Sequence, residues 1–380
     1  MNNQSSMLLQ VFVVLLVVLT SGCEKTDPAS SYPEPFYGQL LVGDTLLSPV
    51  PQQKTTREFE PMATVEIHQF TVAPALATED TPAELVMEKP HRVTVSRAGD
   101  VLYVLDTESL LINKYNLLDG SLLNVITTAN ENRTSNNHFA RLWLISDAEI
   151  GVAGVEAARI MRINEEGESL GFIDYNSGGG FVAASGKQIW LESLNEYELF
   201  HVYNENGEKE RAFGILSSVR YEFKEHKLNG HGMGFAGTMA TDGADSFIYT
   251  NGYGSGLLGY RTDGSVVFFR ELIDNTPFPE MVVSGDQGSV DDKDVVASRL
   301  SLNVWENVYY QYVFWYEAGK ESVIDAYDYN TGDYLYSIKS PADCGVLYIS
   351  NTHIYANCLD RGVIQFERPS LGSQNSKAKS

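Results

Sequence analysis

The chain has few cysteines and little positive charge. Only three cysteines occur in 380 residues, and 27 Lys and Arg stand against 50 Asp and Glu, a formal net charge of −23. A nucleic-acid ligand needs clustered cations to neutralise its phosphates, so this balance argues against a nucleic-acid partner. An acidic surface instead favours solubility, attracts cations and repels acidic polymers.

Long apolar runs are also scarce, and the clearest one lies near the N-terminus, at Met7–Leu19. A membrane-spanning helix needs about 20 apolar residues, so this shorter run has the length of a signal-peptide core. The following Thr20–Cys23 (Thr-Ser-Gly-Cys) resembles the lipobox of bacterial lipoproteins. This predicts a signal peptide over 1–22 and a lipid on Cys23 that holds the protein to a membrane. The alternative is an ordinary secretory signal in which Cys23 is a coincidence.

Proline is concentrated in one stretch. Six of the thirteen prolines lie between residues 24 and 61, at Pro28, Pro33, Pro35, Pro49, Pro51 and Pro61. Proline donates no amide hydrogen and resists regular structure, so residues 23–61 are predicted to be a tether that carries the lipidated Cys23. Phe36–Leu47 is more apolar and is the part of this tether expected to dock on the folded body.

A hairpin pattern recurs through the rest of the chain. Five times an apolar run closes with Tyr or Ile, and a Gly follows four or five residues later. The copies are Tyr115–Gly120, Ile163–Gly167, Tyr203–Gly207, Tyr260–Gly264 and Tyr327–Gly332. A short polar residue and another apolar run come next, which predicts a β-hairpin. Recurrence every ~40–70 residues is typical of a modular β architecture.

The strand-like runs group into six units. Five units contain four predicted strands each, and the sixth, over residues 345–366, contains three. The segment Val65–Val72 is strand-like, and as the outer strand of the sixth unit it would close a ring without exposed sheet edges. We therefore predict an all-β, six-bladed β-propeller over residues 62–368, closed by an N-terminal strand, with a disordered tail at 369–380.

These residues resemble the TolB-like six-bladed β-propeller lipoproteins of bacteria. The likeness covers roughly residues 65–367 plus the lipid signal, in phrases such as Val101–Asp106, Lys114–Asn116 and Asp119–Gly120. It implies a lipid-anchored propeller in the bacterial cell envelope, facing the periplasm or the cell surface. That family has no common catalytic motif, so the resemblance implies no catalytic residue.

Three long links, 127–140, 217–236 and 272–297, join the last strand of one unit to the first strand of the next. Because strand direction alternates, these links all lie on one face, whereas the Gly-bearing turns lie on the other. Uneven insertions on one face of a repeat scaffold often mark a binding face. Neutral drift of surface loops is the alternative.

Two groups of residues are candidate metal ligands. Asp286, Asp291, Asp292 and Asp294 form an oxygen-rich loop that could hold Ca²⁺, although it lacks the spacing and the closing Glu of a calcium hand. His226, His231 and Glu225 could form a metal site. In each case the alternative is a solvated loop.

Gly254–Gly259 matches the Gly-x-Gly-x-x-Gly dinucleotide fingerprint, but that motif needs a helix after it. A strand and the turn Thr262–Gly264 are predicted there, so a Gly-rich strand connection is the better interpretation.

Cys344 and Cys358 bracket a predicted hairpin around Ser350 and Asn351. In an oxidising compartment they would form a disulfide that staples the last unit; the alternative is two buried free thiols.

These features predict a non-enzymatic binding module for a protein, peptide or glycan, held to the envelope membrane and using its looped face. No cofactor is expected apart from Ca²⁺ in the acidic loop. Two alternatives are a metal-assisted hydrolase or lactonase with a site at the central channel, and a purely structural envelope lipoprotein.

Overall fold

A computed structural model describes most of the predicted body and part of the predicted tether. The described residues are 40–42, 45–60, 65–70, 90–96, 99–106, 111–127, 139–146, 149–154, 159–164, 166–174, 180–184, 186–191, 198–204, 206–216, 237–252, 254, 256–274, 281–284, 287–290, 297–315, 321–341, 344–350, 352–358 and 361–368. Cys23, the acidic loop residues Asp286, Asp291, Asp292 and Asp294, and the group Glu225, His226 and His231 lie outside them.

The described elements are all β-strands. Four short strands precede the first blade: β1 (Leu40–Val42), β2 (Thr45–Leu47), β3 (Phe59–Glu60) and β4 (Glu66–Phe70). Within the described residues, no helix is long and apolar enough to cross a membrane.

Six antiparallel sheets form the blades. Blade 1 contains β5 (Pro90–Val95), β6 (Val101–Asp106), β7 (Leu111–Asn116) and β8 (Leu122–Thr127). Blade 2 contains β9 (Phe139–Ser146), β10 (Glu149–Gly154), β11 (Arg159–Asn164) and β12 (Ser169–Asp174). Blade 3 contains β13 (Gly180–Ala184), β14 (Lys187–Leu191), β15 (Phe200–Tyr203) and β16 (Lys209–Phe213), and β17 (Ile215–Leu216) follows it.

The remaining strands complete the ring. Blade 4 contains β18 (Gly237–Ala240), β19 (Ser246–Asn251), β20 (Gly256–Arg261) and β21 (Val266–Glu271). A separate hairpin, β22 (Met281–Ser284) and β23 (Gln287–Val290), lies in the link to the next blade. Blade 5 contains β24 (Ala297–Trp305), β25 (Val308–Trp315), β26 (Val323–Asp328) and β27 (Tyr334–Lys339). Blade 6 contains β28 (Cys344–Ile349), β29 (His353–Cys358) and β30 (Gly362–Glu367).

The N-terminal closing strand is confirmed. β4 pairs antiparallel with β30, with Phe70 opposite Val363, and so supplies the outer strand of blade 6. Phe70 is fully buried and its ring lies 5.1 Å from that of Tyr115 in blade 1. The first strands of neighbouring blades also contact one another around a closed circle, from β5 through β9, β13, β18, β24 and β28 back to β5. The chain is therefore a six-bladed β-propeller, as predicted.

The five Gly-bearing turns all have the predicted form. Their glycines take positive φ angles, from 70° at Gly332 to 91° at Gly167, a region that L side chains adopt at a cost. The strand before each turn shows a register shift at the predicted Tyr or Ile, which is the β-bulge expected beside such a turn. These Tyr and Ile side chains are buried between blades.

The stretch predicted as a tether packs on the propeller from residue 45 onward, together with the apolar strand β1. We call residues 40–42 and 45–60 the belt, because they pair with a strand that follows blade 3 and with the outer strands of blades 4 and 5. β1 pairs with β17 beside blade 3, Val50 bridges to Arg270 in the outer strand of blade 4, and β3 pairs in parallel with β27 of blade 5. Leu40 is completely buried. Most of these contacts satisfy backbone groups of outer strands that would otherwise be exposed edges.

Candidate functional site

The two faces of the propeller differ in their connections. The longest connections, 71–89, 128–138, 217–236 and 272–296, all lie in the sequence between the strands of one blade and the first strand of the next, so their ends share one face of the described blades. They define the long-link face. The turn face carries short hairpin connections such as 204–208, where Asn204 Oδ1 accepts hydrogen bonds from the amides of Asn206 and Glu208. The predicted sorting of connections onto two faces is thus confirmed.

At the long-link face, the described residues include a cluster of four charged side chains between blades 4 and 5. Arg299 is near the start of β24 and Asp325 near the start of β26, while Asp274 follows β21 at the start of the long link. Arg57 comes from the belt. Trp315, the last residue of β25, lies at the same end of blade 5. We call Arg299, Asp325, Asp274 and Trp315 the charged pocket, and Arg57 occupies it.

Arg57 is held in the charged pocket by paired hydrogen bonds. Its Nε donates to Asp325 Oδ1 at 2.9 Å and its Nη2 to Asp325 Oδ2 at 2.7 Å. Nη2 also lies 3.0 Å from Asp274 Oδ2, and the guanidinium carbon lies 5.3 Å from the centre of the Trp315 ring. A forked guanidinium–carboxylate pair combined with an aromatic face is a geometry specific for guanidinium.

The carboxylates are positioned by residues of the propeller itself. Arg299 Nη2 donates to both Asp274 oxygens, each at 2.9 Å, and Ser337 Oγ donates to Asp325 Oδ1 at 2.6 Å. Tyr334 holds Ser337 through a hydroxyl contact of 2.7 Å. The side chains of Arg299, Asp325 and Asp274 are 0%, 1% and 3% exposed.

Burial and charge shift the two carboxyl pKa values in opposite directions. Burial raises the pKa of Asp325, and the hydrogen bonds from Arg57 and Ser337 offset this only in part. Burial also acts to raise the pKa of Asp274, but the guanidinium groups of Arg299 and Arg57 outweigh it and hold that pKa below its usual value. The pKa of Arg57 is raised because the two carboxylates overcome the cost of its burial. Arg57 therefore stays charged, and Asp274 is the firmer counter-ion.

No sequence pattern predicted the charged pocket. Arg57 lies 268 residues before Asp325 along the chain, so no local spacing connects the two. One available signal was the polar residue inside an otherwise apolar strand, as with Asp325 in Val323–Tyr327. Such a buried polar residue needs a hydrogen-bonding or charged partner.

Two features that the sequence singled out lie in described parts of the propeller: the cysteine pair in blade 6 and the Gly-rich segment in blade 4. Cys344 and Cys358 are opposite each other on β28 and β29 and are joined by a disulfide. Gly256 to Gly259 of the Gly-rich segment are the first four residues of strand β20, and strand β21 rather than a helix follows. A side chain at Gly259 would collide with the Phe268 ring, so this glycine serves packing.

No metal centre is formed by the residues that the structure describes. Among them, no three or more His, Cys, Asp and Glu side chains are grouped as metal ligands. Calcium binding by the acidic loop of Asp286, Asp291, Asp292 and Asp294 stays a prediction, as does the metal-dependent hydrolase alternative.

No protein-family model matches the chain, and a search of curated proteins gives no match. The fold is similar to that of a DUF4221 family member from Bacteroides vulgatus ATCC 8482, with a TM-score of 0.55, 10% identity, and coverage of 83% of this chain and 98% of that one. An exported protein of Bacteroides fragilis NCTC 9343, named as putative, gives a TM-score of 0.49 at 10% identity, covering 82% and 98%. At such identities the likeness shows the fold alone. Membership of the TolB-like family stays a prediction.

Proposed function

We propose that the protein is an exported, lipid-anchored β-propeller that binds a protein, peptide or glycan through its long-link face. The observation that carries this proposal is the asymmetry between the faces: the strand ends that the four longest connections join lie on one face, and the other face carries short hydrogen-bonded turns. A closed propeller is a rigid scaffold, and on such scaffolds binding residues are concentrated in loops.

Export and anchoring are supported by the N-terminal sequence. The apolar run Met7–Leu19 followed by Thr20–Cys23 fits a lipoprotein signal, and the Cys344–Cys358 disulfide suits an oxidising compartment. In this proposal the lipid on Cys23 holds the propeller at the cell envelope, and the belt lies between this anchor and the first blade in the sequence.

Binding is tested with two matched variants of the chain 24–380. One replaces link residues 129–137 by a shorter Gly-Ser segment, and the other replaces turn residues Leu118 and Asp119 by Ser. Envelope proteins and glycans captured by the parent chain are identified by mass spectrometry and then titrated against all three proteins. We expect the link variant to bind at least about tenfold more weakly and the turn variant to bind normally. Equal binding by all three proteins would overturn the assignment of the face.

Anchoring is tested with Cys23→Ser in the full chain. We expect the wild-type protein to incorporate an alkyne-labelled fatty acid and to sediment with membranes, whereas C23S does neither. Membrane sedimentation of unlabelled C23S at the wild-type level would overturn lipid anchoring without affecting the binding face.

A further inference from the structure

The charged pocket is filled by a side chain from the protein's own belt. Two carboxylates and an indole ring surround the Arg57 guanidinium, and the Arg57 side chain is 16% exposed above a nearly inaccessible floor. Solvent therefore reaches the Arg57 side chain more than the carboxylates that it contacts.

We propose that the charged pocket is a guanidinium-binding site that Arg57 occupies in cis, and that an arginine side chain of a peptide ligand takes its place. This inference rests on the proposed function, since it supplies a ligand class for a pocket at the long-link end of blade 5.

The geometry favours a guanidinium over other cations. Asp325 accepts two parallel hydrogen bonds from Nε and Nη2 of Arg57, which requires a planar fork of donors. A lysine ammonium is a point charge that cannot make both bonds in that arrangement. Trp315 adds a flat aromatic surface on which a guanidinium stacks.

The pocket is preorganised without the belt. Asp274 is held by Arg299, and Asp325 by Ser337, so both carboxylates keep propeller partners when Arg57 leaves. The belt around Arg57 has its own attachments to the propeller, since Gln52 contacts the backbone of Glu271 and Gly332, and Glu58 bonds to Tyr334 and Ser337, so only the Arg57 side chain has to move. Exchange of Arg57 for a ligand arginine therefore leaves the blade hydrogen bonds intact.

The first test is chemical rescue of Arg57→Ala in the chain 24–380. We expect R57A to lower Tm, and methylguanidinium at a low, non-denaturing concentration to restore at least half of the loss. Methylammonium at the same concentration should restore much less, because it lacks the fork. Arg57→Gln provides a second variant of similar volume if R57A folds poorly.

Two controls make the rescue specific. Arg361→Ala removes a similar forked pair, that of Arg361 with Glu66, from an exposed site, so methylguanidinium should not rescue it. The double variant R57A/D325N should also lose rescue. Equal rescue in R361A, or rescue that persists in R57A/D325N, would overturn the proposal.

The second test measures a peptide in trans. A labelled peptide with the sequence of residues 52–60 is titrated into R57A, and a copy with citrulline in place of arginine serves as the control. We expect the arginine peptide to bind at least about tenfold more tightly than the citrulline peptide. Equal affinities would contradict the proposal. If rescue and peptide binding succeed while replacement of link residues 129–137 leaves envelope binding unchanged, the result supports the pocket and refutes the broader binding face.

Discussion

At the scale of single residues, Gly332 is constrained both by its left-handed backbone conformation and by the side chains packed against it. Gly332 has a φ of 70°, and a Cβ built there would lie 2.5 Å from the Phe268 ring and 2.9 Å from Cγ of Arg270. A left-handed backbone costs a non-glycine residue about 1–2 kcal/mol, and overpacking adds about 1–3 kcal/mol. Gly186 has nearly the same φ, 69°, but open space around its Cβ position.

We therefore expect Gly332→Ala to lower the free energy of unfolding by about 2–5 kcal/mol and Gly186→Ala by about 1–2 kcal/mol. Urea denaturation of both variants measures the difference. Equal losses would show that the contact between blades 4 and 5 at Gly332 relaxes without cost.

Asp274 gives the charged pocket a defined pH dependence. Its folded pKa lies below the ordinary value of 3.8, so its stabilisation is present above that pH and is lost as pH falls through the folded pKa. Removing one partner of a buried ion pair costs about 3–5 kcal/mol. We expect Asp274→Asn to lose about this amount near pH 7 and to approach wild-type stability as the pH is lowered below about 4. Urea denaturation of both proteins over this pH range tests the prediction. A difference in the free energy of unfolding that stays constant with pH would contradict it.

At the scale of elements, the Cys344–Cys358 bond staples the first hairpin of blade 6. The cysteines are 14 residues apart and face each other at the ends of β28 and β29. Closing a loop of this length restricts the unfolded chain and stabilises the fold by about 3 kcal/mol. We expect both thiols to resist alkylation in unfolded, unreduced protein, and reductant to lower the free energy of unfolding by this amount. Alkylation of both thiols before reduction would show that the pair is free.

The blades could be predicted from sequence, whereas for the belt only the docking of Phe36–Leu47 was predicted and its partners were not. A turn such as Tyr327–Gly332 has a local signature, because the buried tyrosine, the bulge and the left-handed glycine are within six residues. Belt contacts are different, since Gln52 bonds to residues 219 and 280 positions away. No periodicity connects such pairs. The hairpin β22–β23 was also missed, within a segment interpreted only as a long link.

At the scale of the whole molecule, closure depends on the distant N-terminal strand. Without β4, the β30 backbone would present an open sheet edge, and the Phe70 site between Tyr115 and Tyr355 would be empty. An unpaired edge beside exposed apolar surface is a template for association. The belt alone cannot compensate, since its nearest strand, β3, pairs with blade 5.

We expect a chain that begins at residue 73 to associate and to lose hydrogen-exchange protection throughout β30, whereas a chain that begins at residue 40 stays monomeric and protected. Light scattering and peptide-level hydrogen exchange compare the two. Because both truncations lack the signal and Cys23, a difference between them reports the belt and β4 rather than the anchor. Phe70→Ala in the longer chain should give an intermediate result, since it removes the buried ring and leaves the backbone pairing. A monomeric chain from residue 73 with protected β30 amides would show that the ring closes without its N-terminal strand.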